Sequence, residues 1–349
     1  MKRQGRRPAN GCYLRVPGLL GPLPREAAGL LQPSSALEQL ARLLSRAHRH
    51  PHDPSPTGVP GLLPETPDSD APAGPLGLLG AGGTPGDAYW FRADPVHLLP
   101  DRDQLRLIGP EALALESAEA AALVASINDY FRDDGLELHA PLPDAWFLRC
   151  ATAPRLATVP LDRARDVPLG EAQPAGDDAR WWQARLNEMQ MLLHAHPVNQ
   201  AREESGTLTV NGIWPWGGGT LPAIRGSWDV VFSDDPFVRG LALAAGMPVE
   251  PWPRDPQPVR DAGAEGSVLA VAPALPPVHD GDTFARWEAA IHDLAGVWVP
   301  PLEQALRTGQ WRAATLDAGP GRPAWRLTRA SLRAFWRRPK PFSRFLEPV

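Results

Sequence analysis

The stretch WDVVFSDDPFVRGLALAAGMPV, residues 228–249, decides the fold class. Its apolar start predicts a buried strand over 228–232. Asp235 is a good helix N-cap and Pro236 suits the first helical position, so a helix begins there and ends before Gly246. This is one strand–loop–helix–turn unit of the kind from which α/β sheets are built.

The same pattern returns further along the chain. The apolar run 267–272 predicts a second buried strand, and Asp282 then caps a helix that Pro300 and Pro301 break. Strands that alternate with helices at this spacing are typical of a parallel sheet flanked by helices. We therefore predict an α/β protein with a mostly parallel sheet.

The region before residue 228 shows other periodic segments. Leucines at helical spacing predict a helix over 34–48 with Ser34 or Ser35 as its N-cap. Dense Pro, Gly and Asp residues predict a long loop or a partly disordered link over 51–87. Later segments are predicted, in chain order, as strands at 89–99 and 105–108, a helix at 117–132 capped by Ser117, strands at 136–139 and 145–150, and a helix at 178–195 that Pro197 stops.

Composition excludes several classes of protein. Lysine occurs only at Lys2 and Lys340, so neither a Schiff-base lysine nor a phosphate-binding loop lysine is available within the body of the chain. The net charge of −5 argues against nucleic acid as a partner. The two cysteines, Cys12 and Cys150, fit a reducing cytoplasm. No apolar run reaches 18 residues, so we expect no contact with a membrane.

Two polar loops follow strands, where α/β sheets place their sites. They read Ser233-Asp234-Asp235 and His279-Asp280-Gly281-Asp282. A histidine with carboxylates could bind a divalent metal ion, with His279, Asp280 and Asp282 as the ligands. The simpler alternative is that Asp235 and Asp282 are helix caps and His279 is a loop residue, and we favour it on composition.

The segment 194–219 concentrates histidine, asparagine, arginine and tryptophan in what we predict to be a loop. Polar and aromatic side chains at this density indicate either a binding site or a buried structural corner, and both remain open. Asp94 and His97 could also pair as acid and base, although a structural hydrogen bond explains them equally well.

The C-terminal segment 322–344 holds eight Lys and Arg residues with Trp325, Phe335 and Trp336 among them. Such a segment could contact nucleic acid or a membrane surface. We favour the alternative of a docked tail with a solvated arginine face.

Three blocks carry a resemblance to a known family. They are GPLGLLGAGGTPGDAYWFRADPVHL at 74–98, LLHAHPVNQAREESGTLTVNGIWPWGGGTLP at 192–222, and DVVFSDDPFVRGLALAAGMPV at 229–249. In sequence and in order they resemble the archaeal-type cofactor-independent phosphoglycerate mutases, and most of all a bacterial branch called the RpfE-type regulatory proteins.

The resemblance implies an alkaline-phosphatase-like fold with an inserted α+β cap domain. Residues 1–87 would form the first part of the phosphatase-like domain, 88–200 the cap, and 201–349 the second part with its basic tail. Active members bind two Mn²⁺ or Mg²⁺ ions and use a serine nucleophile.

The chain departs from that pattern at the metal ligands. Leu275 stands where a ligand aspartate is expected, VPGLLGPLP at 16–24 replaces an Asp-Gly-x-Gly motif, and Asp317 is followed by Ala318 where an Asp-His pair is expected. A pair of dications needs several carboxylates to offset its charge. The expectation is therefore a degenerate enzyme.

Two functional hypotheses follow. The first is a non-catalytic cytoplasmic protein that binds a regulatory partner or a small anionic ligand in the old cleft. Its lining residues would be His196, Asn199, Arg202, Asn211, Trp214 and Trp216, with Arg202 on the anion and the tryptophans as the wall. The alternative is an active mutase or phosphohydrolase with a rebuilt Mn²⁺ or Mg²⁺ site that draws ligands from His279, Asp280, Asp282 and Asp234.

Overall fold

A computed structural model of the chain describes residues 10–24, 29–50, 57–65, 71–101, 104–165, 167–278 and 281–346. Its strands are β1 (Gly11–Arg15), β2 (His48–His50), β3 (Leu62–Pro64), β4 (Tyr89–Asp101), β5 (Gln104–Ile108), β6 (Leu136–Leu142), β7 (Ala145–Cys150), β8 (Gly212–Gly219), β9 (Ile224–Gly226), β10 (Val230–Phe232), β11 (Val249–Glu250), β12 (Ser267–Val271), β13 (Ala313–Asp317) and β14 (Ala324–Thr328).

Its helices are α1 (Ser35–Arg46), α2 (Ala73–Gly80), α3 (Pro110–Leu113), α4 (Ser117–Tyr130), α5 (Leu161–Ala164), α6 (Leu169–Ala172), α7 (Ala179–His194), α8 (Pro197–Glu204), α9 (Pro236–Ala244), α10 (Gln257–Glu265), α11 (Gly281–Thr308) and α12 (Arg329–Leu332). The chain divides into two compact units. The first comprises Met1–Leu63, Ile224–Val238 and Ala245–Val349, and the second comprises Pro64–Ala223 and Arg239–Ala244.

The first unit is built on a seven-stranded sheet in the order β11-β10-β12-β1-β13-β14-β2. The strands from β11 to β13 pair in parallel, whereas β14 pairs antiparallel with both of its neighbours, β13 and β2. Every residue of β12 is buried, as expected for a central parallel strand covered on both faces. The predicted mostly parallel α/β fold is confirmed.

Helix α11 continues through Pro300 and Pro301, so the predicted break at these residues is wrong. A proline inside a helix removes one hydrogen bond and costs about 3 kcal/mol. Trp298, Val299 and Leu302 around the prolines are buried in the core of the first unit. Packing of this apolar face outweighs the local cost.

The second unit contains an antiparallel sheet in the order β5-β4-β7-β6, with β8 also paired to β4. Residues of α4 and α7 share one apolar cluster with Phe91 and Ile213. Residues of α5 and α6 pack with Val96 and Trp214 in a separate cluster. Since side chains 213 and 214 leave the strand on opposite faces, helices cover the sheet on both sides.

Helix α2 lies inside the segment 51–87 that was predicted as a loop, and part of that segment is outside the described residues. The helix is apolar on all sides, so no amphipathic period reveals it. A Cβ at Gly74 would lie 2.2 Å from the carbonyl oxygen of Trp90, so glycine allows the helix to approach β4 closely.

Two smaller expectations also need correction. The N-cap of α4 is Glu116, which forms a capping box with Glu119, and not Ser117. Pro197 follows the end of α7 but also begins α8, a position where its missing N–H costs nothing. The predicted loop 194–219 therefore consists largely of α8 and β8.

No helix within the described ranges has both the length and the apolar character needed to cross a bilayer.

Candidate functional site

The carboxyl ends of β1 and β13 bring Arg15 and Asp317 together as register partners. Both residues are almost fully buried. Arg15 Nε donates to Asp317 Oδ2 at 2.7 Å, and the Tyr13 hydroxyl donates to the same oxygen at 3.0 Å. The backbone N–H of Gly319 donates to Oδ1 at 2.9 Å. Both oxygens of the carboxylate are thus engaged by donors of the protein.

The loops that follow β1 and β12 are rich in buried aliphatic groups. Leu19 and Leu20 come after β1 and are buried, as are Leu275 and Val278 after β12. The backbone N–H of Leu275 donates to the carbonyl of Pro17 at 2.8 Å, which joins the two loops. The loops after β1 and β12, at the strand ends where many α/β sheets carry polar sites, are mostly apolar in this chain.

The carboxylates that follow β10 serve the backbone. Asp235 Oδ1 accepts from Val238 N at 2.9 Å, as the helix-cap interpretation predicts. Asp234 Oδ1 accepts from Trp252 N at 3.0 Å. Ser233 Oγ accepts from Asp235 N at 3.1 Å. Asp234 and Asp235 thus hold the start of α9 and the segment after β11.

The donor groups of the described residues do not fit a two-metal centre. His279 and Asp280 lie outside these residues, and Asp282 is exposed in the first turn of α11. No group of three or more His, Cys, Asp and Glu side chains within the described ranges could hold a metal ion. The positive charge of the Arg15 guanidinium beside Asp317 would also repel a dication.

The predicted ligand residues on α8 make hydrogen bonds within the second unit. Asn199 donates to the carbonyls of Leu193 and Val210, each at 2.7 Å, and accepts from Val210 N at 2.9 Å. Asn199 is 3% exposed and all of these partners are backbone groups. Its amide therefore ties the end of α7 to the segment before β8.

Arg202 is buried next to Asn199 and has three separate partners. Its Nε donates to Leu208 O at 2.8 Å, and its guanidinium pairs with Glu119 Oε2 at 2.8 Å. It also donates to the carbonyl of Leu113. The side chain predicted to bind an anion joins α3, α4 and α8.

His196 and Asn211 stand at the ends of their elements. His196 is the N-cap of α8, where Nδ1 accepts from Val198 N at 3.1 Å. Its Nε2 lies 3.0 Å from Ser126 Oγ, and burial lowers the pKa of the imidazole. The side chain of Asn211 bonds both backbone groups of Leu98, at 2.6 and 3.0 Å, and so extends the β4–β8 ladder.

Trp214 and Trp216 lie on the other face of the sheet from Ile213 and the α4–α7 cluster. Trp214 Nε1 donates to Val159 O at 2.9 Å. Trp216 Nε1 donates to Asp94 Oδ2 at 2.7 Å. The sheet therefore separates the two tryptophans from the predicted residues on α8.

Asp94 forms a second buried ion pair of the chain. Arg92 Nε donates to its Oδ1 at 2.5 Å, while Trp216 holds the other oxygen. Burial raises the pKa of Asp94, and the charge of Arg92 opposes that rise. His97 contacts Thr209 instead, with Nδ1 at 2.9 Å from its carbonyl oxygen. Asp94 and His97 thus have separate structural partners.

Two clefts open on the second unit. One of about 270 Å³ is lined by His97, His194, Asn199, Glu203 and Asn211, among others. The other, of about 770 Å³, lies between the turn 83–88 and Glu137, His139 and Arg149. Because the amides of Asn199 and Asn211 already bond to the backbone, histidines and Glu203 supply the ionisable groups of the smaller cleft.

Sequence reasoning missed Arg15 and Arg92, although each leaves a signal. Arg15 is a charged residue in the otherwise apolar run of β1 and Val16, and Arg92 follows three aromatic residues. A charge within an apolar strand is rarely buried without a partner, so it points to a carboxylate elsewhere in the chain.

Comparison with known proteins yields two curated relatives. The chain is 26% identical over 170 residues to a probable 2,3-bisphosphoglycerate-independent phosphoglycerate mutase of Geobacter sulfurreducens, covering 46% of the chain and 42% of the relative. It is 29% identical over 174 residues to a 2,3-bisphosphoglycerate-independent phosphoglycerate mutase of Methanothrix thermoacetophila, covering 44% of each. The match thus spans less than half the length of these relatives. No family model matches the chain.

Solved structures are similar over nearly the whole chain. The PH0037 protein of Pyrococcus horikoshii superposes with a TM-score of 0.52 at 15% identity, over 91% of this chain and 87% of that one. A cofactor-independent phosphoglycerate mutase of Thermoplasma acidophilum gives 0.44 at 17% identity, over 97% and 96%. The chain is thus similar to cofactor-independent phosphoglycerate mutases in part of its sequence, and its mostly parallel, helix-flanked sheet has the alkaline-phosphatase-like fold.

Proposed function

We propose that this protein is a non-catalytic binding protein derived from a cofactor-independent phosphoglycerate mutase. It would be a bacterial, cytoplasmic member of the RpfE-type regulatory branch that binds a regulatory partner or a small anionic ligand. The observation that carries this proposal is the buried Arg15–Asp317 ion pair at the strand ends. A protein cation there neutralises the carboxylate that a metal ion would otherwise need.

The energetics of this pair support the loss of metal chemistry. Removing one partner from a buried ion pair costs about 3–5 kcal/mol, because the other charge is left without compensation. A metal ion that took Asp317 as a ligand would displace Arg15, and its binding would be weakened by that cost. Metal-activated phosphoryl transfer also needs several further carboxylates to hold the ions.

We assign the two compact units to the two domains that the resemblance implies. The first unit, with its parallel sheet, would be the remnant of the metal-binding domain. The second unit would be the cap, and the predicted cap boundaries at 88 and 200 both fall inside it. The 270 Å³ cleft is our candidate for the ligand, with Asn199 and Asn211 in its wall. Arg202, His196, Trp214 and Trp216 would then support the cleft from behind.

The test is phosphorus NMR of 3-phosphoglycerate incubated with the purified chain and excess Mn²⁺, with EDTA added before acquisition to remove paramagnetic broadening. The Methanothrix mutase, treated identically, is the positive control. We expect the 2-phospho isomer only in the control sample. Its appearance with this chain, abolished in His279→Ala, would contradict the proposal and establish the alternative of an active enzyme with a rebuilt site.

Electron paramagnetic resonance of Mn²⁺ provides a second readout that does not depend on the choice of substrate. The signal of free hexaaquo Mn²⁺ should fall by less than a tenth when about 100 µM chain is added to an equal concentration of Mn²⁺, because two-metal sites need several carboxylates. Stoichiometric loss of the free signal, reversed in Asp282→Asn, would contradict the loss of the metal site even if the NMR test shows no turnover.

A further inference from the structure

Phe335 and Trp336 form an exposed aromatic pair on the first unit. Phe335 is 81% exposed and Trp336 is 69% exposed, although both are large and apolar. Their ring centroids are 5.3 Å apart with an interplanar angle of 80°. Side chains this exposed project from the surface and cannot line a groove. Contiguous exposed apolar groups of this size usually mark a contact surface.

The segment that follows the pair packs against the first unit. Arg337 donates to the carbonyls of Arg46 and Ala47 at 2.9 and 3.0 Å. Lys340 N donates to Ser45 Oγ at 2.9 Å, and Phe342 is buried in the core of the first unit. The predicted docked tail is therefore present. The aromatic pair is thus exposed next to a packed segment.

Positive charge flanks the pair in the sequence. The exposed residues before and after it include five cations, namely Arg329, Arg333, Arg338, Lys340 and Arg344. No Asp or Glu occurs between positions 318 and 346 of the sequence. Within the described part of the chain, none of the five cations forms an ion pair. We call these five cations together with Phe335 and Trp336 the tail surface.

We propose that the tail surface docks the protein on an anionic phospholipid bilayer. The aromatic pair would enter the interfacial layer and the cations would contact lipid phosphates, a division of roles typical of peripheral interfacial anchors. The proposal does not depend on the proposed loss of catalysis. The expectation of no membrane contact rested on the lack of a spanning segment, and a surface contact requires none.

The geometry favours a bilayer over nucleic acid. Proteins that bind single strands combine a basic groove with aromatic rings on which successive bases stack. Here the rings project outward, and their perpendicular arrangement places the edge of one ring against the other, so they do not form two parallel platforms. Two neighbouring exposed rings can both enter a planar interface.

The test is co-sedimentation of the full-length chain with vesicles of phosphatidylcholine alone or with 30% phosphatidylglycerol, at 100 mM NaCl. Two variants probe the surface: Phe335→Ser with Trp336→Ser, and Arg333→Gln with Arg338→Gln and Lys340→Gln. Matched controls are Met191→Ser, which removes another exposed apolar side chain, and Arg180→Gln with Arg225→Gln and Arg254→Gln, which removes three exposed arginines elsewhere.

We expect wild type to bind anionic vesicles at least about tenfold more strongly than neutral ones, since each cation near an anionic surface contributes several-fold. Both tail variants should lose about tenfold or more, with unchanged melting temperatures, and the controls should bind like wild type. Equal binding to both vesicle types, or tail variants that bind like wild type, would overturn the proposal. So would a lack of vesicle binding combined with binding to a 20-nucleotide oligothymidylate that the tail variants lose.

Discussion

The two units each bury an arginine–aspartate pair, but the pairs differ in how fully the protein surrounds them. In the first unit, the side chains of Arg15 and Asp317 are 4% and 2% exposed, and three donors hold the carboxylate. In the second unit, Arg92 is 17% exposed and two side chains hold Asp94. The first pair therefore has no access to alternative partners. In the second pair, water or a bound proton can replace part of the stabilisation that Arg92 gives to Asp94.

The largest expected effect comes from breaking the more enclosed pair. Arg15→Met leaves Asp317 as a buried charge without a counterion, so we expect a loss of about 3–5 kcal/mol in the free energy of unfolding. Arg92→Met should cost only about 1–2 kcal/mol, because Asp94 can take up a proton when its cation is removed. Urea unfolding followed by circular dichroism measures both changes.

A double variant separates charge from packing at the first pair. Arg15→Met combined with Asp317→Leu should recover at least half of the loss, because replacing both partners leaves no buried charge. If the double variant is as unstable as Arg15→Met alone, the loss arises from packing and the comparison between the two pairs fails. The comparison also fails if Arg92→Met lowers the free energy of unfolding as much as Arg15→Met does.

A smaller effect is expected from the tryptophans of β8. Trp216→Phe removes a hydrogen bond to a charged acceptor, Asp94, and should cost about 2 kcal/mol, whereas Trp214→Phe removes one to a carbonyl and should cost about 1 kcal/mol. The same urea titration compares them. Equal costs would mean that Asp94 behaves as a neutral acceptor in the folded protein.

The smallest expected effect is a change in how the free energy of unfolding depends on pH. Because burial raises the pKa of Asp94 above its ordinary 3.8, the folded protein binds its proton more tightly, and this contribution to stability declines as pH rises through the folded-state pKa. Asp94→Asn should therefore become more stable relative to wild type as the pH rises from acid towards neutral. Urea midpoints across that range measure the trend.

Asp178→Asn is the matched control, for which the opposite change in stability with pH is expected. A backbone hydrogen bond from Arg155 lowers the pKa of Asp178, so its contribution is present above the unfolded-state pKa and is lost as pH falls through the folded-state value. Stability relative to wild type should thus fall as pH rises in this variant. If the stabilities of the two asparagine variants change in the same direction with pH, burial does not determine the pKa of Asp94.

Sequence reasoning succeeded where local chemistry and periodicity agree. The unit from Val230 to Ala244 has a short apolar run, an Asp cap and a proline at the first helical position, and the structure has the predicted strand and helix. Sequence reasoning did not predict helix α2. This helix is apolar on all sides, so its sequence has no amphipathic period. The predicted break at Pro300 and Pro301 was wrong because the packing that keeps α11 helical comes from residues distant in sequence.

The site was harder to predict than the fold. Arg15 and Asp317 are 302 positions apart, and only the parallel pairing of β1 with β13 brings them together. The composition of segment 194–219 correctly marked buried polar groups, but it could not distinguish a side chain that bonds to the backbone from one that faces a ligand. Asn199 shows the difference, since its amide has three backbone hydrogen bonds.

The two ends of the parallel sheet have a consequence for the behaviour of the protein at high concentration. An open sheet edge can pair with a strand of another molecule and so begin aggregation. At one end β2 is only three residues long, and its His48, Arg49 and His50 are all exposed and basic or ionisable. At the other end β11 has two residues, between Pro248 and Pro251. Short, charged and proline-flanked edges of this kind resist edge-to-edge association between copies of the chain.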